Sequence, residues 1–336
     1  MLETALNKVE KGEDLTLEQM SEAIGQIMDG QCPEDEVARL LRGLHEKGES
    51  VAEVAGAAMA MRAKMTRIRN DHPDAIDVVG TGGDKSGTFN ISTAAALVTA
   101  AAGVPVAKHG NRAVTSRSGA SDVLRQLGVN IEADLSCVED CLDRLGICFC
   151  FAPLHHQAMK HVAPIRQKLG TPTIFNILGP LCNPAGAAFQ LLGVGRPQLR
   201  GLLAEAIALL GTRRTLVVHG RDGLDEVSLG DATDVTEVAG ERLDQWQWTA
   251  AEFDLKPVDK RSLLVSGPEE SAEVIRGLLD GFSGPARDIV LANAAAALWT
   301  VGRSESLVEC VRLAAESIDS GAANDLLARL GERTRR

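Results

Sequence analysis

The chain has 336 residues, of which 45% are apolar and 24% are charged, and its formal net charge is −11 at pH 7. A chain of this length and apolar content can bury a large core and has room for two domains. A nucleic-acid-binding surface needs clustered Lys and Arg with aromatic stacking partners. The acidic balance, an aromatic content of 3% and the absence of Tyr therefore argue against nucleic acid as a partner.

Cysteine usage and the N-terminal residues favour a cytoplasmic location. Seven cysteines form an odd set in a long chain, and residues 1–10 lack the basic-then-apolar order of an export signal, so we expect reduced thiols. A zinc site between Cys137 and Cys150 is the weaker alternative to buried core thiols, because no Cys-x-x-Cys spacing occurs. The longest apolar stretch, residues 94–107, is too short to cross a bilayer, so no membrane role is predicted.

The first seventy residues predict a small all-helical domain, with boundaries at 1–70. Helix start signals recur along it: Thr16 with Gln19, Pro33 at a first turn, and Ser50 with Glu53. Residues 155–175 also look helical and free of strands. We expect them to pack back onto the helical domain, which would leave a cleft between the two units.

Residues 73–336 predict an α/β domain with a mostly parallel central sheet, because short β-branched runs alternate with helical patterns. The predicted strands are 76–79, 104–107, 147–151, 216–218 and short runs around Val227 and Val235. Residues 237–258, with Trp246 and Trp248, show no regular pattern and are expected to be irregular and peripheral. Helices resume at Pro268.

The strand at 76–79 leads into a glycine-rich loop, Gly80-Thr81-Gly82-Gly83-Asp84, and a helix starts near Ile91. Glycines allow the backbone to turn tightly enough to aim successive N–H groups at one anion. Further polar groups lie at the helix N-terminus, where the helix dipole favours anions: Thr88, Asn90, Ser92 and Thr93. A plain strand-to-helix turn is the alternative, but we interpret the loop as a phosphate-binding loop. Its spacing fits neither the dinucleotide fingerprint nor the P-loop.

A second polar segment runs from Lys108 to Arg112, and a serine-rich stretch with Arg117 and Ser121 follows it. In a parallel sheet this segment emerges beside the glycine loop, at the carboxyl ends of the strands. A single Lys or Arg is usually solvent-exposed charge. The concentration of Lys108, Arg112 and Arg117 opposite a phosphate-binding loop nevertheless favours substrate contact.

Two other motifs carry chemistry. The adjacent carboxylates of Asp225 and Glu226 follow the strand at 216–218; such a pair is usually surface charge, but at a strand end it suits Mg²⁺, which prefers oxygen ligands and bridges to phosphates. Arg166, which precedes the run from Phe175 to Pro180, would lie on the helical side of the predicted cleft.

Together, these motifs resemble the anthranilate phosphoribosyltransferase family. The match is ordered and extends from the N-terminal helices to Asn293-Ala294-Ala295. Its motifs are Gly80-Thr81-Gly82-Gly83-Asp84, Asn90-x-Ser92-Thr93, Lys108-His109-Gly110-Asn111-Arg112, Arg166-Gln167-x-Leu169-Gly170, Phe175-Asn176-x-Leu178-Gly179-Pro180-Leu181-x-Asn183-Pro184 and Asp225-Glu226-Val227-Ser228. The resemblance implies a nucleoside phosphorylase/phosphoribosyltransferase-like fold and a homodimer formed through the helical domain. It also implies transfer of the phosphoribosyl group of 5-phosphoribosyl 1-pyrophosphate to the amine of anthranilate, the second step of tryptophan biosynthesis.

The resemblance further implies roles for individual residues. Phosphoribosyl pyrophosphate would contact Gly80, Gly82, Gly83, Asp84, Thr88, Asn90, Ser92, Thr93, Lys108 and Ser121. Anthranilate would contact His109, Gly110, Asn111, His156 and Arg166. Two Mg²⁺ ions per subunit would be bound by Ser92, Asp225 and Glu226. No residue is assigned as an acid or base catalyst.

Three residues depart from those common in the family: Arg117, Met159 and Pro172. They bear on local helix geometry and on the selectivity of the anthranilate path, not on the reaction. One alternative is a pyrimidine nucleoside phosphorylase, but its Lys-x-Ser-Gly-Arg loop differs from the segment 108–112. A non-catalytic nucleic-acid-binding paralogue is the other, and the intact glycine and acidic motifs and the net charge of −11 count against it.

Overall fold

The computed structural model describes residues 2–84, 86–112 and 118–335. Its N-terminal unit consists of helices α1 (Leu2–Val9), α2 (Leu17–Met28), α3 (Glu34–Lys47) and α4 (Val51–Lys64). The predicted capping boxes are confirmed: Thr16 and Gln19 cap α2, and Ser50 and Glu53 cap α4. In each box a side-chain oxygen accepts an otherwise unpaired backbone N–H, which fixes where the helix begins.

A seven-stranded sheet forms the centre of the second unit. Its strands are β1 (Ile76–Gly80), β2 (Val106–Gly110), β3 (Ile147–Phe151), β4 (Phe189–Gly193), β5 (Arg214–Gly220), β6 (Thr233–Ala239) and β7 (Arg242–Trp248). The spatial order is β3-β2-β1-β4-β5-β6-β7. The pairs from β3 through β5 are parallel, and β6 and β7 are added antiparallel. The predicted α/β class with a mostly parallel sheet is confirmed.

Further helices follow the N-terminal unit along the chain. They are α5 (Ile91–Ala101), α6 (Ala120–Gln126), α7 (Leu135–Leu145), α8 (Ala152–His155), α9 (Ala163–Leu169), α10 (Phe175–Leu178), α11 (Gln198–Leu210), α12 (Pro268–Leu279), α13 (Pro285–Val301), α14 (Leu307–Asp319) and α15 (Ala322–Thr334). Successive residues of a strand point to opposite faces of the sheet. Accordingly, Leu191 belongs to the core that contains α5 and α13, whereas Leu192 belongs to a second core shared with the N-terminal helices. Ile165 of α9 is buried in that second core, and α9 packs against α3.

Three strand predictions are wrong in part. Residues 242–248 are not irregular but form the edge strand β7, whose Trp246 and Trp248 pack edge-on against Trp299 with ring centroids 5.8 and 5.6 Å apart. The run around Val227 is a loop rather than a strand. Strand β2 begins at Val106 and runs to Gly110, so Lys108 and His109 lie within the strand and not in a loop after it.

Two other sequence expectations concern thiols and membranes. All seven cysteines are free, and Cys148 and Cys150 are buried in β3 with their Sγ atoms 4.0 Å apart. Among the residues that the structure describes, no helix combines the length and the apolar character needed to span a bilayer.

Gly56 sets the close approach of α4 to α2. A Cβ at this position would lie 2.3 Å from the carbonyl oxygen of Leu17 and 3.0 Å from the Cβ of Met20. We therefore expect Gly56→Ala to lower the free energy of unfolding by about 1–3 kcal/mol, because the two helices must move apart.

The matched control is Gly25→Ala in α2, where a Cβ would meet no heavy atom within 4 Å. That substitution should be neutral or raise stability by about 0.5–1 kcal/mol, because alanine loses less backbone entropy in a helix. Urea unfolding followed by circular dichroism measures both. Equal effects of the two substitutions would contradict the packing role of Gly56.

Candidate active site

The sheet opens between β1 and β2, and two side chains bridge the gap. β1 pairs with β2 at Ile76 and Val106, near the strand starts, whereas it pairs with β4 over its whole length. Beyond that point Asp77 Oδ1 accepts the backbone N–H of His109 (3.1 Å), and Lys108 Nζ donates to the carbonyl oxygen of Val78. These reciprocal hydrogen bonds replace the backbone ladder. They direct the Lys108 ammonium group towards the start of α5, where it lies 3.2 Å from Ser92 Oγ.

Asp77 is fully buried and was not predicted as a site residue. Burial raises its pKa to about 6, opposed by the nearby amide of Asn183 and by the positive charge of Lys108. Burial also lowers the pKa of Lys108, and the carboxylate of Asp77 opposes that shift. Each charge thus offsets part of the desolvation of the other. The signal in the sequence was a carboxylate inside the apolar strand Ile76–Val79.

The glycine loop has the backbone conformation that an anion cradle requires. Gly82 and Gly83 have φ angles of +67° and +79°, which residues with a Cβ rarely adopt, and the space beside both is open. The N–H of Gly82 donates to Asp225 Oδ2 (2.9 Å). Gly80 lies under the same carboxylate, since a Cβ there would be 2.5 Å from Asp225 Oδ2. The loop and the acidic pair are therefore in direct contact.

Two glycines at the end of β4 make this contact possible, and sequence reasoning missed both. A Cβ on Gly193 would lie 1.6 Å from the carbonyl oxygen of Asp225, and a Cβ on Gly195 would lie 2.8 Å from the backbone nitrogen of Asp84. The acidic loop is the segment 221–232 between β5 and β6, which carries Asp225 and Glu226. It packs, together with the glycine loop, directly on the backbone after β4. The Gly193-Val194-Gly195 spacing is visible in the sequence, but its purpose depends on which loops cross it.

Polar groups at the start of α5 form the other wall of the site. The backbone N–H of Ser92 donates to Glu226 Oε1 (3.0 Å). Three polar atoms, two at the start of α5 and one on α6, are buried without a hydrogen-bond partner among the described residues: Asn90 Oδ1, Thr93 Oγ1 and Ser121 Oγ. Leaving such an atom unpaired costs about 1–3 kcal/mol. Unpaired buried polar atoms call for an explanation, and here a polar ligand supplies one.

Thr88 and Asp84 lie at the more open side of this wall. Thr88 is half-buried, and its Oγ1 lies 3.1 Å from Ser86 Oγ. Asp84 Oδ1 accepts the N–H of Ser86 (3.2 Å).

The acidic pair is electrostatically strained. Loss of hydration in this recess, followed by the negative charge of Asp84, raises the pKa of Asp225 to about 7. The same loss of hydration, followed by the charge of Asp225, raises the pKa of Glu226 well above its ordinary value. A cation between these oxygens would relieve both effects. The described residues contain no group of three or more His, Cys, Asp or Glu side chains placed to hold a metal ion. A metal bound here would therefore need further oxygen ligands from water or substrate.

His109 and His156 form a buried neutral pair. His109 Nδ1–H donates to the carbonyl oxygen of Gly179 (3.0 Å), so its Nε2 accepts from His156 Nε2–H (3.2 Å). Burial, followed by the proximity of His156, lowers the pKa of His109 to about 3. Burial also lowers the pKa of His156 to about 4. Both rings are therefore uncharged at neutral pH.

The two other residues predicted beside His109 lie at the end of β2. A Cβ on Gly110 would lie 2.8 Å from the ring of Phe149. Asn111 is exposed, and its side-chain oxygen accepts the N–H of Arg112 (2.8 Å).

Arg166 reaches the same segment of chain as His109. Its Nη2 donates to Asn176 Oδ1 (3.1 Å), and its guanidinium group lies 5.7 Å from the ring centroid of Phe175. Burial lowers its pKa, and no carboxylate of the described residues acts on it. Arg166 and His109 thus converge on residues 176–179, and the guanidinium retains hydrogen-bond capacity for an anionic group.

Of the two other predicted arginines, the structure describes only Arg112, and its hydrogen-bond partner is a surface carboxylate rather than the glycine loop. Arg112 pairs with Glu132 (2.8 Å) at the surface and lies over the ring of Phe151. Arg117 lies outside the described residues.

Gly193 provides a test of how closely the acidic loop must pack. In Gly193→Ala the new Cβ would overlap the Asp225 carbonyl, so the acidic pair must shift away from the glycine loop. We expect pyrophosphate binding in the presence of Mg²⁺, measured by calorimetry, to weaken about tenfold or more, which corresponds to at least ~1.4 kcal/mol.

The control is Gly201→Ala on α11, where a Cβ would meet no heavy atom within 4 Å. It should bind pyrophosphate as the unchanged protein does. Unchanged affinity in Gly193→Ala would show that the contact between β4 and the acidic loop does not matter for anion binding.

Comparison with known proteins agrees with this geometry. Residues 3–65 match the Glycosyl transferase family, helical bundle domain, and residues 72–324 match the Glycosyl transferase family, a/b domain. Anthranilate phosphoribosyltransferase of Rhodopirellula baltica is 51% identical over 98% of this chain and 96% of its own length. The enzyme of that name from Rhodospirillum rubrum is 50% identical over 96% of this chain and 92% of its own length.

Solved structures of similar proteins share the whole fold. The crystal structure of anthranilate phosphoribosyltransferase from Thermus thermophilus matches with a TM-score of 0.93 at 44% identity, covering 99% of each chain. The enzyme from Saccharomyces cerevisiae, in complex with PRPP and Mg, matches with a TM-score of 0.91 at 29% identity, covering 99% of this chain and 98% of that one. By sequence along nearly its full length and by fold, this chain belongs to the anthranilate phosphoribosyltransferase family.

Proposed function

We propose that this protein transfers the phosphoribosyl group of 5-phosphoribosyl 1-pyrophosphate to the amine of anthranilate. The products are N-(5-phosphoribosyl)anthranilate and pyrophosphate, and the reaction is the second step of tryptophan biosynthesis. One observation carries the proposal: the N–H groups of Gly82 and Ser92, the Lys108 ammonium group and two carboxylates converge at one edge of the sheet. Family membership and the named relatives support the same reaction.

The phosphoribosyl pyrophosphate site comprises the residues around the glycine loop and the start of α5. They are Gly80, Gly82, Gly83, Asp84, Thr88, Asn90, Ser92, Thr93, Lys108 and Ser121. The unpaired buried atoms of Asn90, Thr93 and Ser121 support this assignment, because the hydroxyl and phosphate oxygens of the substrate would provide their partners.

Magnesium fits the acidic side of this site. Asp225, Glu226 and Ser92 would hold the metal, two ions per subunit, since carboxylate and hydroxyl oxygens are ligands that Mg²⁺ accepts. When bound, Mg²⁺ neutralises the diphosphate and stabilises it as a leaving group. The raised pKa values of both carboxylates support this assignment, because burial and the neighbouring negative charges disfavour their ionised forms, which a bound cation would stabilise.

The carboxylates of Asp225 and Glu226 accept hydrogen bonds from the same backbone N–H groups that would donate to a bound diphosphate. Gly82 N–H and Ser92 N–H each donate to one of these carboxylates. A diphosphate that accepts from the same groups displaces the two carboxylates, which then need a cation as their new partner. Binding of substrate and binding of metal are coupled in this way.

Negative charge develops on the leaving diphosphate during the reaction, and hydrogen-bond donors held by the fold stabilise this charge. The N–H groups of Gly82 and Ser92 and the ammonium group of Lys108 are held in place by the fold. Once the diphosphate has displaced the two carboxylates, these donors stabilise the transition state without further reorganisation. The aniline-type amine of anthranilate is unprotonated at neutral pH, so no strong general base is required. His109 fits this account as a positioning and wall residue, because both of its ring nitrogens are engaged in hydrogen bonds.

Anthranilate binds on the side of the helical unit, near His109, Gly110, Asn111, His156 and Arg166. We assign residues 1–70, together with 155–175, to the helical domain and residues 73–336 to the α/β domain. The burial of Ile165 in the core of the N-terminal helices supports this division. We further propose a homodimer formed through the helical domain and a location in the cytoplasm, in keeping with the seven free thiols.

The assay that tests this function follows loss of anthranilate fluorescence with phosphoribosyl pyrophosphate, with and without Mg²⁺. We expect turnover that requires Mg²⁺. We also expect Asp225→Asn with Glu226→Gln to abolish turnover at ordinary Mg²⁺ while circular dichroism shows an intact fold. Turnover of thymidine with phosphate but not of anthranilate would identify a nucleoside phosphorylase instead. Undiminished, metal-dependent activity in the double variant would refute the metal assignment.

Arg166 is proposed to bind the anthranilate carboxylate. Loss of one charge-assisted contact in Arg166→Ala should cost roughly 1.5–3 kcal/mol, or about 10- to 150-fold in the affinity for anthranilate. Arg166→Lys should recover part of this loss, because an ammonium group cannot make the planar two-point contact. The measurement is steady-state kinetics with each substrate varied in turn. A KM that rises for phosphoribosyl pyrophosphate but not for anthranilate would contradict the assignment of Arg166 to the anthranilate carboxylate.

A further inference from the structure

Helix α13 carries one amide side chain in its most deeply buried stretch. Residues 289–298 are all buried, and every one of them except Asn293 is apolar. A buried amide is unfavourable unless its hydrogen bonds are made. An alanine or leucine would serve packing alone, as it does at the neighbouring positions, so the amide requires another explanation.

The side chain of Asn293 forms hydrogen bonds to both backbone polar groups of a single residue of the acidic loop. Its Oδ1 accepts the N–H of Val227 (2.9 Å), and its Nδ2 donates to the carbonyl oxygen of Val227 (2.9 Å). The second N–H of the amide donates to Ile289 O within the helix (2.9 Å). Both donors and the acceptor oxygen are therefore used. Val227 directly follows Glu226, so the two hydrogen bonds from Asn293 hold the backbone that carries the acidic pair.

The acidic loop needs hydrogen bonds to its backbone because the hydrogen bonds of its carboxylates are lost when a diphosphate binds. Asp225 and Glu226 accept N–H groups from the glycine loop and from α5, and a diphosphate claims the same groups. Once the carboxylates change partners, the loop depends on hydrogen bonds to its backbone. Asn293 supplies two of these from a rigid helix that packs against α5 and β4.

We propose that Asn293 is a positioning residue that holds the backbone of the acidic loop so that Asp225 and Glu226 present their carboxylates to Mg²⁺. Asn293 touches neither substrate nor metal in this account and acts through Val227. The inference rests on the proposed function, because it assumes that the acidic pair binds the metal.

The test compares variants of two buried polar residues on the same helix. Asn293→Ala removes both bonds to Val227 and leaves a cavity, whereas Asn293→Leu removes them while it keeps the number and branching of the side-chain heavy atoms, so the two variants disturb packing in opposite directions. The control is Thr300→Val. Thr300 is also fully buried in α13, but its hydroxyl donates to Ala296 O within its own helix.

Calorimetric titration of Mg²⁺ in the presence of pyrophosphate provides a readout that is independent of turnover. We expect the Asn293 variants to need about tenfold more Mg²⁺ at the midpoint, with an unchanged KM for anthranilate, and Thr300→Val to retain the original midpoint. An original Mg²⁺ midpoint in either folded Asn293 variant would overturn the inference. Loss of the Mg²⁺ response in the unsubstituted protein would overturn the proposed function, and this inference with it.

Discussion

The arrangement of this site depends on which acceptors bind two backbone N–H groups, those of Gly82 and Ser92. Backbone donors in a recess need acceptors, and Asp225 and Glu226 supply them. In the proposed function a diphosphate is a second anion that needs the same donors. In the proposed site the two sets of oxygens compete for these donors, and the carboxylates acquire a cation when the diphosphate binds. The rest of the site follows from holding two anions against one cluster of donors.

The geometry that brings these groups together depends on glycine residues, at which no side chain keeps the packed backbones apart. Gly80 and Gly193 allow the acidic loop to lie directly on the strand ends, and Gly195 allows the glycine loop to approach from the other side. On the far side of β1, the sheet opens, and Asp77 and Lys108 exchange hydrogen bonds with the opposite backbones across the gap. Lys108 thereby reaches Ser92 from within the sheet, so its charge is fixed rather than mobile.

Much of this arrangement could be predicted from the sequence, because the information was local. The capping boxes, the alternation of strands and helices and the glycine loop each depend on neighbouring residues. β7 was missed because only Trp246 and Trp248 of this edge strand alternate with polar residues, and the other residues of the strand are mostly polar and exposed. The pairing of Arg112 with Glu132 could not be predicted, because the two residues are twenty positions apart. Gly193, Asp77 and Asn293 could not be assigned either, since their partners are distant in sequence and are defined only by the folded sheet.

The most direct test of the partner exchange is a crystal structure of the protein with phosphoribosyl pyrophosphate and Mg²⁺. In that structure the N–H groups of Gly82 and Ser92 should donate to phosphate oxygens, and the carboxylates of Asp225 and Glu226 should have turned to the metal. The backbone of Val227 should remain bonded to Asn293. A complex in which Gly82 and Ser92 still donate to the two carboxylates, with the diphosphate bound elsewhere, would contradict this account.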